Sequence, residues 1–312
     1  MPAKRRHAST VSGADLAALI GRRREALLAH VDAARAGDVK GVHQARVASR
    51  RLRESIPILA VGLDDVRAKR LGRGLRDLTR TLGPVRELDV ALGMVAELPL
   101  DGDDASRLRA TWSRWMQARR RPPARTLRKA LARAARLPLE KHLIAFEAAR
   151  ATSDDQTWRT ALAERLTERA GTLLDRIGQT GALFDAEPLH EVRIAAKKLR
   201  YALELGDEAG VARLEARLRT LKAAQDALGR LHDIDVLLGL LRGWLETDSG
   251  GRLRRAADHI TEVLEDEART LHARYLRARP SLVRVADVTR ERIAPRVLSG
   301  AAPIRPHVLA NG

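Results

Sequence analysis

One eleven-residue stretch occurs twice in this chain, and it constrains the fold more than any other feature. The first copy runs from His43 to Arg53 (HQARVASRRLR) and the second from His190 to Arg200 (HEVRIAAKKLR). Both follow the pattern H-x-x-R-[VI]-A-x-[RK]-[RK]-L-R, and they are separated by a fixed offset along the sequence. At about 100° per residue, His43, Arg46, Arg50 and Arg53 fall within one helical sector roughly 80° wide. Ala45, Ala48, Leu52, Ile56 and Leu59 lie across from it. In the second copy His190, Arg193, Lys197 and Arg200 share a face, opposite Val192, Ala196, Leu199 and Leu203. Each copy therefore predicts an amphipathic helix whose polar face carries a histidine and a column of cations.

A column of like charges calls for a partner, and the composition supports this. The chain of 312 residues has a net charge of +18, which points to a polyanion: nucleic acid, an anionic membrane surface or a phosphate polymer. The surplus is uneven, with 32 Lys and Arg against 16 Asp and Glu in residues 1–150, but 26 against 24 in residues 151–312. Only eight aromatic residues are present, too few for an evident base-stacking platform. There is no cysteine, which fits a reducing cytoplasm and removes thiolate metal sites. No apolar stretch is long enough to predict a membrane span, and the basic start of the chain lacks the apolar core of a secretory signal. Abundant Ala, Leu, Arg and Glu with few β-branched residues predict an all-α protein.

Along the chain, residues 1–12 read as disordered, and a first helix spans 14–35, ending near Gly37. The first motif helix spans about 42–61, and Asp64 and Asp65 can cap the next one. There Leu71, Leu75, Leu78 and Leu82 form an apolar stripe, with Lys69, Arg73, Arg76 and Arg80 on the opposite face. Gly83-Pro84 should interrupt this helix, and Pro122-Pro123 should split the acid-free region 105–139 in two. In the latter, Arg125, Arg128, Lys129, Arg133 and Arg136 share a face. Helices are predicted over 157–177, around the second motif, over 211–245 and over 252–278. A basic tail, only partly ordered, is predicted from about 281 to 312.

The halves also correspond downstream of the motif: Leu82-Gly83-Pro84-Val85-Arg86-Glu87-Leu88-Asp89-Val90 parallels Leu228-Gly229-Arg230-Leu231-His232-Asp233-Ile234-Asp235-Val236. Such order at near-constant spacing implies an internal duplication. It predicts two four-helix bundles, over 1–150 and 151–312, related by a pseudo-twofold, with the motif helices lining a shared basic groove or central pore.

For chemistry, arginine columns match phosphate oxygens through their forked donors. The competing reading of any one column is a solvated face. A metal site built from His43 and His190 with Glu87, Asp89, Asp233 and Asp235 is disfavoured by the Arg or Lys beside each histidine. A phosphate-contacting or a helix-capping histidine stays open. The acidic pairs read as structural, orienting arginines or capping a helix. Phosphate-binding glycine loops and nucleophile elbows are absent, so no catalytic constellation is evident.

The doubled motif, with L-G-x-x-[RH]-[ED]-x-D-V downstream of each copy, resembles the CHAD family, the conserved histidine α-helical domain. The likeness covers roughly residues 10–280. It implies two helical bundles, a basic surface and pore, binding of long-chain inorganic polyphosphate, and association with polyphosphate granules in the cytoplasm. Carried over, it implies His43, Arg46, Arg50, Arg51 and Arg53, then His190, Arg193, Lys197, Lys198 and Arg200, as ligand residues. Arg73, Arg76, Arg80, Arg219 and Lys222 look like further contributors. The second half departs from the first where Asp226 replaces Arg80 and Glu215 replaces Lys69. No cofactor or metal is implied, and no room remains for the triphosphate-tunnel (CYTH) enzyme domain to which the family can be fused. The expectation is a stand-alone, non-catalytic binder biased toward Arg46 and Arg50. A nucleic-acid or nucleoid binder, and a metal-dependent phosphohydrolase, are the alternatives.

Overall fold

Helix α1 (Gly13–Ala36) starts and stops by local chemistry. Ser12 and Asp15 form a reciprocal capping box: the Ser12 Oγ accepts from the Asp15 amide and the Asp15 carboxylate accepts from the Ser12 amide. At its other end Gly37 takes φ 89°, a left-handed conformation that closes the last turn onto Ala33 and Ala34. Asp38 then caps α2 (Val39–Leu59), the first motif helix. With so short a link the two helices start in close contact. A Cβ at Gly41 would lie 2.6 Å from that of Ala33, so glycine is what lets α2 leave the turn flush against α1.

The remaining helices are α3 (Asp65–Glu97), α4 (Asp103–Ala130), α5 (Arg133–Ala151), α6 (Thr157–Gly178), α7 (Ala186–Glu208, the second motif helix), α8 (Glu215–Leu245), α9 (Arg254–Val288) and α10 (Ala294–Ser299). A single π-helical turn, Thr289–Ile293, joins the last two. The molecule, a computed structural model, is described over residues 11–99, 102–153, 155–247 and 253–299, without the side chains of 133–135. Among these residues there is no strand, and the fold is all-α as expected. Of the expected disorder of 1–12, residues 1–10 lie outside the described residues, but Val11 is buried in the core and Ser12 caps α1, so the order begins earlier than expected. The tail from 300 onward and the Arg133 side chain also lie outside the described residues.

The helices follow one another as antiparallel neighbours. α1, α2, α3 and α4 pack in succession with α5 returning against α1 and α3; α6, α7, α8 and α9 do the same, with α10 on α6. The first half thus holds five described helices rather than four. One apolar core runs through both halves, and Trp112 of α4 and Trp244 of α8 meet in it with ring centroids 6.3 Å apart. The motif faces are as read: Ala45, Ala48, Leu52, Ile56 and Leu59 are buried, and so are Val192, Ala196, Leu199 and Leu203.

Two expectations based on proline are corrected, together with the predicted end of the last long helix. α3 runs unbroken through Gly83-Pro84, α4 through Pro122-Pro123, and α9 through Pro280. An internal proline costs a helix about 3 kcal/mol. Around Pro84, however, Leu82 and Val85 are wholly buried, and burial of each is worth about 1.5–3 kcal/mol, which offsets the loss. Pro84, Pro122 and Pro280 lie on exposed faces, so water can take the carbonyls they free. The helix break expected at Pro122-Pro123 falls instead at Leu131-Ala132. Beyond Pro280 the chain is ordered, because Leu282, Val285, Ala286, Ile293, Ala294 and Val297 are buried and α10 packs on α6.

The junction between the halves is held by a buried cation. Arg150, with no exposed surface, donates to the carbonyls of Leu59, Ser153 and Asp155 and to the Ser153 hydroxyl. Truncation would strand these acceptors. Arg150→Ala is expected to lower stability by about 3 kcal/mol, read as a lower midpoint in urea unfolding at unchanged helix content.

Candidate functional site

The two motif helices pack against each other, and their polar faces share one cationic cluster. From α2 it takes His43, Arg46 and Arg50, with Arg53 at its edge; from α7 it takes Arg193 and Lys197. His190 also faces Arg193 and Lys197. α3 adds Arg86 beside His43, and α8 adds His232 and Asp233. These side chains are half-buried, so their mutual repulsion is not screened as it would be in water.

The electrostatic consequences are consistent. Burial, with the fields of Arg193, Arg50 and Arg46 added, pushes the Lys197 ammonium down to about 7 despite the opposing carboxylate of Asp233. Burial also lowers Arg46 to about 10, assisted by Arg50, Arg193 and Arg53. His43 is lowered by burial, then by Arg86, Arg46 and Lys197. His232 is pushed down to about 3 by burial and by Arg193, His190 and Lys197. Burial raises Asp233 even with Arg193, Lys197, Arg86 and Arg230 around it. Lys197, Arg46, His43 and His232 are all shifted toward their neutral forms by burial and by neighbouring positive charge, as expected of a site with more cations than its own acids can balance. The rise of Asp233, by contrast, comes from burial against the field of those cations.

The motif downstream of each copy explains itself in the same place. Arg46 lies across α3 and donates to the Thr79 carbonyl at 3.0 Å. A Cβ on Gly83 would come within 3.2 Å of its guanidinium, and one on Gly229 within 4.0 Å of the Arg193 Nε. Gly83 thus leaves room for the motif arginine of its half, whereas at Gly229 a Cβ would only touch Arg193 in ordinary contact. Gly83, expected to interrupt its helix, instead lies within it as the seat of the contact with Arg46. The repeated offset between the L-G pair and H-x-x-R was the signal for the pairing, but it shows no contact by itself.

At the position where α3 carries Arg86, α8 carries His232, and the two halves diverge accordingly. His190 Nδ1 and His232 Nδ1 lie 2.9 Å apart, sharing a hydrogen bond in which one ring donates and the other accepts. A pair held this way keeps at least one ring neutral. Neither His43 nor His190 caps its helix: Asp38 caps α2 and Asp185 caps α7. Among the described residues no three His, Asp or Glu side chains converge to hold a metal ion.

Other expected site residues lie elsewhere. Arg51 is pinned to Glu204 of α7 at 3.0 Å; burial opposes its charge, but Glu204 and Glu208 outweigh it and raise its pKa. Arg200 shares Glu204 at 3.6 Å and lies over the Tyr201 ring, and Arg53 meets Glu54 at 3.4 Å. Arg23 of α1 adds a further tie, to Glu208 at 3.0 Å and to the Arg51 carbonyl. Lys198 is half-exposed. Arg73, Arg76 and Arg80 are exposed on α3, where Arg80 pairs with Asp77, and Arg219 and Lys222 are exposed on α8, where Lys222 pairs with Asp226. Of the acidic pairs, Asp89 orients Arg120 of α4, which also donates to the Gly37 carbonyl. Neither Gly83 nor Gly229 precedes a new helix, so no acid caps one there.

An all-helical protein with two copies of one His/Arg helix packed around a shared cation cluster is a narrow class. The profile of the CHAD domain matches residues 18–242, and the chain belongs to that family. The fold is similar to the crystal structure of the CHAD domain from the plant Ricinus communis, with TM-score 0.59 and 23% identity over 89% of this chain and 91% of that one. It is also similar to PptA from Streptomyces chartreusis, with TM-score 0.60 and 18% identity over 86% of this chain and 98% of that one. No curated protein matches the sequence.

The depressed lysine has a measurable consequence. Between pH 7 and 10.5 the unfolded chain holds a proton on Lys197 that the folded chain lacks, so this residue makes stability rise with pH across that window. The penalty is fully present at pH 7 and below. Lys197→Met is expected to stabilise the protein by about 2 kcal/mol at pH 7, discounted for partial exposure, and by little at pH 10.5. Urea unfolding at the two pH values checks this; equal effects at both would refute it.

Proposed function

We propose that this chain is a non-catalytic binder of long-chain inorganic polyphosphate, working in the cytoplasm at polyphosphate granules. The observation that supports the reading best is the shared cluster: Arg46, Arg50, Arg193 and Lys197, from two helices, held half-buried with a single carboxylate, Asp233, among them. A chain of phosphates supplies the missing negative charge at many points. Arginine forks chelate its oxygens, and the buried Nε atoms of Arg50 and Arg193, unpartnered among the described residues, are already desolvated. Membership of the CHAD family agrees with a polyphosphate-related role.

A polymer ligand also explains why both motif helices are needed. Single phosphates would engage one or two cations, whereas a long chain engages both helices at once and gains from every contact. No described helix is long and apolar enough to cross a membrane.

The two helices are proposed to contribute unequally, for a local reason. Asp233 faces Arg193 and Lys197, and Lys197 is only partly charged at neutral pH, while Arg46 and Arg50 form no ion pair with a carboxylate among the described residues. Titration with polyphosphate of graded length, at several salt concentrations, tests the reading. Affinity should rise with chain length and fall steeply with salt, as counterion release requires. Arg46→Ala/Arg50→Ala is expected to weaken binding about 100-fold and Arg193→Ala/Lys197→Ala about tenfold at pH 8. Pyrophosphate binding as tightly as long chains, or duplex DNA displacing them at equal phosphate, would sink the proposal. Shortening of the polymer by the purified protein with Mg²⁺ or Mn²⁺ would show it to be an enzyme.

A further inference from the structure

The cluster accounts for only part of the surplus charge, and the largest remainder sits on one helix. α4 carries nine Lys and Arg against two Asp, whereas α9, its counterpart in order in the second half, carries seven against six. Within α4 the charge is arranged. Arg107, Arg114, Arg121, Arg125 and Arg128 fall in a sector about 60° wide and span roughly 31 Å along the axis. All five are exposed. Leu108, Trp112, Met116 and Leu127, which bury α4 in the protein, occupy the opposite side of the helix. The column therefore points away from the core and away from the α2–α7 cluster.

It is also unbalanced. Arg107 reaches Asp104 at 3.8 Å, but Arg114, Arg121, Arg125 and Arg128 form no ion pair among the described residues. No acid occurs between Ala105 and Leu139, so none can approach from a neighbouring turn. Like charges three and four residues apart repel on a helix surface. On an exposed helix this arrangement is relieved by a line of anions outside the protein.

We infer that the outer face of α4 is a second, separate binding surface for polyphosphate, so that one molecule bridges two chains or two segments of one chain. The column is one side chain wide. That suits a single flexible strand, whereas a duplex presents its phosphates across a groove about 6–12 Å wide. Nor is an aromatic free to stack on bases, since the half-buried Trp115 is covered by the Arg119 guanidinium, 4.6 Å from its ring centroid. The inference rests on the polyphosphate reading but uses none of the cluster residues.

A protein with two such sites cross-links long chains, and cross-linking is greatest when protein and polymer are matched and falls when either is in excess. The test compares the full chain with Arg114→Ala/Arg121→Ala/Arg125→Ala/Arg128→Ala, a Lys replacement at the same four positions, and Arg46→Ala/Arg50→Ala. Light scattering is measured with long-chain polyphosphate, and calorimetry with a chain too short to join two sites. The alanine column variant should lose the scattering maximum and one of two binding equivalents while keeping the tighter one. The Lys variant, with the charge retained, should keep both. Wild-type scattering from the alanine variant at native helix content would overturn the proposal, as would loss of both equivalents together. So would loss of duplex DNA binding from that variant with polyphosphate behaviour intact. If Arg46→Ala/Arg50→Ala instead leaves short-chain binding at wild-type strength, it is the cluster reading that fails and not this one.

Discussion

Like charges packed together against their own repulsion are the constraint on which this structure turns. The core places α2 beside α7, and that contact forces Arg46, Arg50, Arg193 and Lys197 into one half-buried volume. The interface persists because, Asp233 apart, the neighbouring acids of α7 are placed behind the cluster rather than in it. Glu204 and Glu208 of α7 bind Arg51, Arg200 and Arg23, joining α1, α2 and α7 through charges that need no ligand. Asp89 does similar work for Arg120 between α3 and α4. The paired cations hold the frame, and the unpaired ones are left for something else to satisfy.

This division separates the duplicated helices more finely than their shared motif does. Neighbouring motif positions look alike in sequence, yet Arg50 faces the cluster and Arg51 faces a glutamate. The halves differ too. Opposite His43 stands Arg86, a permanent cation, but opposite His190 stands His232, which is held neutral by its surroundings. The first half of the cluster is therefore charged at any physiological pH, while in the second half Lys197 sits near its midpoint at neutral pH.

The fold was largely legible. Helical period alone placed the apolar faces of α2, α3 and α7, and Asp64 and Gly37 marked a start and an end where the structure has them. The prolines misled, because a local rule about hydrogen bonding competes with a non-local gain in burial that the local pattern does not weigh. Leu82 and Val85 decide for helix across Pro84, and the core contacts of Leu282 and Ile293 do so beyond Pro280. The site was legible in part. His43, Arg46, Arg50, His190, Arg193 and Lys197 are brought together, while the exposed cations of α3 and α8 stay at the surface. Arg86 and His232 joined the cluster without having been singled out as phosphate ligands, and Asp233, weighed only as a metal ligand or a structural acid, joined it as the carboxylate facing Arg193 and Lys197.

By itself, then, the sequence determined that the chain is helical, that its halves repeat, and that one face of each motif helix is cationic. These properties follow from periodicity and composition, which act within a helix. Which cations meet, which acids neutralise them, and which glycines make room were decided only by tertiary structure. Those depend on what lies a few ångströms away across a helix interface, and interhelical contacts such as Arg46 with Gly83 or Arg51 with Glu204 are not expressed in the spacing of either helix alone.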